Sequence, residues 1–140
     1  MTFNPNEQSG AIGILEEGSD LYDLCLTLSA TKITPTKATL NIHQYNKSVP
    51  GEFTFGEEFE MERKQDNKWT KLPIVFKGNY GFHAIAICIA KDDITTHEYQ
   101  WEKLYGALES GDYRMKITII HESDNGVFEK YPIYAYFLIR

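Results

Sequence analysis

Apolar and polar residues alternate along most of this chain, in short runs separated by turn residues. From Leu21 to Ala30, Tyr22, Leu24, Leu26 and Leu28 share one face while Asp23, Cys25 and Thr27 take the other. A period of two over this length predicts a strand. Ile33-Thr34-Pro35-Thr36 turns the chain, and Ala38, Leu40 and Ile42 then alternate with Thr39, Asn41 and His43 in a second strand, antiparallel to the first. Gln44 to Gly51 reads as a loop. Phe53 to Phe55 resumes extended structure, with Gly56 interrupting it as a bulge. Phe59, Met61 and Arg63 alternate with Glu58, Glu60 and Glu62, and Asp66-Asn67 predicts a hairpin into Lys68-Trp69-Thr70, which Pro73 ends. His83 to Ala90 is apolar on both faces and predicts a central strand covered on both sides. Ile94 to Trp101 is half polar. Tyr113, Met115, Ile117 and Ile119 then form a core face against Arg114, Lys116 and Thr118. Ser123-Asp124-Asn125-Gly126 is a hairpin turn into Val127–Tyr131 and Ile133–Ile139, with a break at Pro132.

Before these runs, residues 1–10 are polar with Asn-Pro and Ser-Gly breakers and read as a mobile arm or linker. Ala11–Leu15 reads as a short edge strand and Glu16–Ser19 as a turn. The domain proper is therefore expected over residues 11–140, one folded unit by length. No amphipathic helix and no internal repeat interrupts the strands. The sum is an all-β fold, a two-sheet antiparallel sandwich of about eight or nine strands.

The densest stretch is Trp101 to Arg114, which packs three aromatics, two leucines and two glycines into fourteen residues. It predicts a short helical turn at Trp101–Gly106, a second turn at Ser110–Gly111, and then a central strand. In Leu108-x-x-Gly111-x-Tyr113, Gly111 is free to take a positive φ, and the Tyr113 hydroxyl can reach back to the backbone just upstream. That is the logic of the tyrosine corner of immunoglobulin-like sandwiches.

Composition narrows function mainly by exclusion. The 140 residues carry a net charge of −6, and the first thirty hold five acids and no base. The bases form no stripe along the sequence, so nucleic-acid binding through phosphates is not expected. No apolar stretch is long enough to span a bilayer, so no membrane insertion is expected. MTFNPNEQSG has neither a basic n-region nor an apolar h-region and does not read as a signal peptide. The expected location is the cytoplasm if the protein starts at Met1, and the cell envelope if Met1 replaces a removed signal. Cys25 and Cys88 lie off the heavier apolar faces of their strands, a pattern that favours free thiols over an intersheet disulfide.

Chemistry-bearing residues are scattered. His43, His83, His97 and His121 sit in four separate segments without metal-ligand spacing, so no metal is expected. Glu58, Glu60 and Glu62 read as one solvent face, balanced by bases on neighbouring strands, with Lys37, Lys64, Lys68 and Lys71 available. Asp124-Asn125-Gly126 lacks the ligand spacing of a calcium loop. No nucleophile elbow, phosphate loop or dinucleotide fingerprint is present, so no catalytic residue and no cofactor is assigned. Trp69 and Trp101 offer an aromatic platform for carbohydrate or peptide, with core packing the more ordinary role. The remaining candidates are loops on a rigid scaffold: Tyr45, Lys47, Val49 and Pro50 in one, Ile74, Phe76, Asn79 and Tyr80 in the other.

Four segments together resemble a family. They are Ile33-Thr34-Pro35-Thr36; Gly56-Glu57-Glu58-Phe59-Glu60-Met61-Glu62-Arg63-Lys64 followed by Lys68-Trp69; Asn79-Tyr80-Gly81-Phe82-His83; and the whole of Trp101–Arg114. Across roughly residues 20–139 the chain resembles a bacterial immunoglobulin-like domain family, similar in architecture to the bacterial intracellular proteinase inhibitors. The resemblance implies an immunoglobulin-like β-sandwich, often carried on envelope proteins or lipoproteins, without catalytic residues. It makes a non-enzymatic module with an unknown protein partner the first expectation. A proteinase inhibitor, presenting Gln44–Gly51 or Leu72–Phe82 as a substrate-like loop, is the second.

Overall fold

A computed structural model describes residues 20–82 and 84–140. The sequence expectations for the N-terminal arm, the Ala11–Leu15 strand, the Glu16–Ser19 turn and His83 lie outside the described residues. The rest folds into β1 (Asp20–Leu21), β2 (Leu26–Thr31), β3 (Lys37–Gln44), β4 (Glu52–Phe55), β5 (Glu60–Gln65), β6 (Lys68–Lys71), β7 (Ile87–Cys88), β8 (Asp93–Gln100), helix α1 (Glu102–Tyr105), β9 (Gly111–Glu122) and β10 (Phe128–Ile139). Two of these ten strands are only two residues long.

The strands form two antiparallel sheets. The smaller runs β1-β2-β3-β8. The larger is built on β9, which pairs along its whole length with β10 on one side. On its other side β5 covers Tyr113–Lys116 and β4 covers Ile120–Glu122. β4 and β5 thus lie end to end, and the chain advances six positions from Thr54 to Glu60 against four from Ile120 to Lys116. The two extra residues are the excursion signalled by Gly56, and they preserve the inward parity of Phe53, Phe55, Phe59 and Met61. β6 extends the sheet beyond β5, and β7 caps β4.

Alternation built the core as expected. Leu26, Leu28, Leu40 and Ile42 of the small sheet face Phe53, Met61, Met115, Ile117, Ile119 and Ile133 of the large one, all essentially excluded from solvent. The β5–β6 turn has both Asp66 and Asn67 in the left-handed region, φ 52° and 63°, the geometry whose twist matches a two-residue hairpin. Trp101 is fully buried; its indole N–H donates to Pro35 O at 2.8 Å, and its ring stacks on Phe137. Leu108 N–H donates to the same carbonyl at 2.9 Å, so the corner is folded down onto the Pro35 turn. The tyrosine corner is present: the Tyr113 hydroxyl donates to Glu109 O at 2.8 Å. Gly111 serves it differently from expectation. Its φ is not positive; instead a Cβ there would stand 2.9 Å from Arg63 Nε, because the Arg63 side chain crosses over it to donate to Ser110 O.

Four expectations are corrected. Leu21–Ala30 is not one strand. A 3₁₀ turn at Tyr22–Leu24 and a left-handed Cys25 (φ 57°) make a reversal between β1 and β2, leaving Tyr22 64% exposed. Local alternation is overridden there by a tertiary bond, since Gln44 Nε2 donates to Leu24 O. His83–Ala90 is not a central strand. One side of β4 is taken by β9 and β4 is short, so Ile87–Cys88 pairs only with Thr54–Phe55 at the sheet's edge, and Ile85 is left 47% exposed. Pro132 does not break β10. It sits opposite Thr118 within an unbroken strand whose one strand partner among the described residues is β9, and an outer strand admits proline where its nitrogen faces away from the ladder. Glu58 precedes β5 rather than sharing its face with Glu60 and Glu62. Both cysteines are free thiols, as the pattern favoured.

Candidate functional site

The two candidate loops lie at opposite ends of the sandwich. Tyr45, Lys47, Val49 and Pro50 join the Gln44 end of β3 to β4, beside the turn that follows β9. Gln44 organises that end although it is wholly buried. Its amide nitrogen donates to Leu24 O and Asn46 O at 3.2 and 2.9 Å, and its oxygen accepts from Asn46 N–H and Asp92 N–H at 3.3 and 2.8 Å. One side chain therefore ties three separate turns. Lys91 Nζ donates to Val49 O at 2.8 Å, and the His121 ring, stacked on Phe53, bonds Pro50 O through Nε2. Val49 packs against the core, while Tyr45, Lys47 and Pro50 are exposed. The loop is compact and fastened from within: Val49 N–H closes on Asn46 O, and Ser48 N–H on Asn46 Oδ1.

Ile74, Phe76, Asn79 and Tyr80 belong to the irregular stretch from Leu72 to Ala86, which runs from β6 past α1 and back to β7. It is anchored without regular pairing. Val75 N–H donates to Leu104 O at 2.7 Å, and Lys103 Nζ lies 5.0 Å from the Phe76 ring centre. A relay of edge-on rings, Phe76–Tyr80–Phe82–Phe59, leads from this stretch into the core. The same stretch presents Ile74, Val75, Tyr80 and Ile85 to solvent. It forms a held apolar ledge of the kind a partner can bury.

Between the ledge and β8 lies a groove of about 270 Å³, lined by Phe59, Phe82, His97, Tyr99 and Leu104, with Glu57 and Glu98 at its rim. Tyr99 reaches across the sandwich and donates its hydroxyl to Gly56 O at 2.7 Å. Burial, with Glu57 adding to it, pushes that phenol well above the usual tyrosine range. Tyr99 is thus a neutral donor at physiological pH, fixing one wall of the groove. Phe82 was inside a sequence-expected loop, whereas His97, Tyr99 and Glu57 were not candidates. His97 and Tyr99 come from β8, Glu57 from the excursion between β4 and β5, and Phe82 from the ledge, and only the tertiary fold brings them together.

The outer face of the large sheet holds a second assembly. Arg114 Nε donates to Glu62 Oε1 at 2.5 Å and Nη1 to the Tyr136 hydroxyl at 3.2 Å. Its guanidinium lies 4.1 Å from the Tyr134 ring centre and 4.7 Å from that of Trp69. Burial works against the Arg114 charge; the Tyr136 and Glu62 contacts outweigh it and hold the group protonated. Trp69 is therefore no core plug. It is half-buried on this face, in edge contact with Tyr136, while Trp101 alone fills the core. Glu60 is flanked by Lys71 and Lys116 at 3.9 and 3.8 Å. Bases thus sit opposite the strand's acids as expected, although two of them, Arg114 and Lys116, come from β9 rather than from the nearby lysines.

Among the described residues, no three of His, Cys, Asp and Glu converge on a point that could hold a metal, and no helix is long and apolar enough to cross a membrane. The architecture is that of an immunoglobulin-like sandwich. The family model for the bacterial Ig-like domain matches residues 22–138, and the chain belongs to that family. No curated protein and no solved structure shows significant similarity to it.

Proposed function

We propose that the chain is a non-enzymatic interaction module that binds a protein partner through the Leu72–Ala86 ledge. The observation that carries this reading is that four large apolar side chains, Ile74, Val75, Tyr80 and Ile85, are exposed on one irregular stretch whose backbone is tied to α1 at Val75 and whose rings run from Phe76 through Tyr80 and Phe82 into the core. An apolar group that stays exposed on a fixed backbone loses little further conformational freedom when a partner covers it. Membership of a bacterial Ig-like family supports a binding role over catalysis. The Gln44–Gly51 loop is the weaker candidate, because its backbone is folded back on itself around Asn46 and Gln44. The same compactness argues against a substrate-like inhibitory loop there, and no observation favours proteinase inhibition over plain binding.

The test is site-specific photocrosslinking in the native host, with the crosslinking residue at Val75, Tyr80 or Lys47. A discrete adduct from Val75 and Tyr80, lost at least ten-fold on Ile74→Glu, is the expected result; ten-fold corresponds to about 1.4 kcal/mol at the interface. No adduct from any of the three positions overturns the reading. An adduct from Lys47 alone moves the site to the other end.

A further inference from the structure

Sheet edges are normally blunted, because a row of unpaired backbone groups invites another strand. Most edges of this sandwich follow the rule. β1 and β7 are two residues long, β6 is four residues with a lysine at each end, and β10 carries Pro132. β8 is different. It has eight residues, no proline and no lysine, and among the described residues it pairs with β3 alone.

The register shows which groups face outward. Trp101 N–H donates to Thr36 O at 2.9 Å, so the pair one step beyond Lys37↔Gln100 is a hydrogen-bonded one. Antiparallel pairs alternate between bonded and non-bonded. Tyr99, His97 and Thr95 therefore bond to β3, while Gln100, Glu98, Thr96 and Ile94 turn their N–H and C=O outward. The Ile94 N–H is taken by its neighbour's carboxylate, Asp93 Oδ1, at 2.7 Å. The outward backbone groups of Thr96, Glu98 and Gln100 have no hydrogen-bond partner among the described residues.

This unpaired stretch borders the groove floored by Phe59, Phe82 and Leu104. We propose that β8 accepts an extended peptide of the partner as an added strand, pairing with Thr96, Glu98 and Gln100. The peptide's apolar residues enter the groove, and a basic residue faces Glu57. The unpaired ladder selects an extended backbone, since nothing else satisfies both donors and acceptors at strand spacing. The apolar floor calls for apolar side chains at every second position. Glu98 already accepts from Gln100 Nε2 at 2.7 Å and lies 4.0 Å from Lys37 Nζ, so it is the Glu57 carboxylate, on a chain of net charge −6, that favours a lysine or arginine beside it. In a second copy of this chain, pairing of two β8 strands centred on Glu98 would set two Glu98 residues opposite each other; sedimentation tests the other registers. The inference rests on the module reading above and names the chemistry of the partner segment beside the ledge.

The probe is a blocked peptide alternating lysine and valine over about seven residues, with its glutamate–valine counterpart as control. Amide exchange and chemical shifts are followed by NMR on the whole chain, and sedimentation reports self-association. The expected result is that the lysine peptide protects the amides of Thr96, Glu98 and Gln100 and shifts Phe82 and Leu104, while the glutamate peptide does neither. Thr96→Pro removes an outward donor and is expected to weaken binding at least ten-fold. Glu57→Lys, which leaves the edge intact, is expected to weaken it several-fold and serves if the proline variant unfolds. Peptide binding that leaves the β8 amides unprotected, unchanged affinity in Glu57→Lys, or protection through self-association without peptide each overturns the proposal. None of these outcomes bears on crosslinking from Val75, so failure here leaves the module reading standing.

Discussion

At Gln44 one side chain decides the layout of an entire end of the molecule. Its four hydrogen bonds are all to backbone, in three different turns, and it is wholly buried. Gln44→Leu leaves those groups desolvated without partners, and a loss of about 2–4 kcal/mol is expected from urea unfolding. Gly51 is as demanding for a steric reason. At φ +92°, a Cβ would crowd Glu122 O and the His121 ring, so Gly51→Ala is expected to cost about 2–4 kcal/mol by the same assay. Tyr113→Phe removes only the bond to Glu109 O, and about 1 kcal/mol is expected. The sequence made these three unequally legible. Tyr113 was readable because its signal is local, a spacing from Leu108 and Gly111. Gln44 was placed at the start of a loop, although it continues the parity of Ala38, Leu40 and Ile42 onto the core face. A polar residue on an apolar stripe is the clue that was available. Gly51 was not readable, since what crowds it arrives from β9.

Whole strands were legible where alternation and turn chemistry agreed. The β3, β5, β6 and β9 segments and both tight hairpins follow from the pattern of residues, as do β2 and β10 apart from the start of the first and the unbroken course of the second through Pro132. Asn67 is a direct case. At φ 63° it occupies a position that glycine takes freely and β-branched residues resist. Asn67→Gly is expected to be neutral within about 0.5 kcal/mol, and Asn67→Val to cost about 1–2 kcal/mol in thermal unfolding. Whether a strand is central or at an edge was not legible, because the number of neighbours is a property of topology. The apolar run around Ile85 looked like a buried strand and became an exposed border, and β8, the unguarded edge, looked ordinary. Pro73, Gly78 and Gly81 mark residues 72–82 of the ledge as a loop, but its extension through Ile85 and the groove beside it depend on the tertiary fold.

For the molecule as a whole, the buried tyrosines set the alkaline limit. Burial raises the phenols of Tyr99, Tyr105 and Tyr113 above their unfolded value. Above about pH 10 the unfolded chain releases those protons first, so it binds fewer than the native state and stability falls as pH rises. Melting temperature is therefore expected to decline from about pH 10 upward, and Tyr99→Phe to make that decline shallower. The placing of β9 has a separate consequence, for the order in which the protein can be built. Three strands of the large sheet lean on β9, and two of them, β4 and β5, are synthesised about fifty to seventy positions before their partners. On the ribosome, β2, β3 and β8 can already pair while β4 and β5, which carry Phe53, Phe55 and Met61, still lack the β9 partner that sets their register. The large sheet gains its centre only when Glu122 emerges, and its full width only with Ile139. This sandwich is therefore expected to close late, and until then part of its future core stays exposed on the nascent chain.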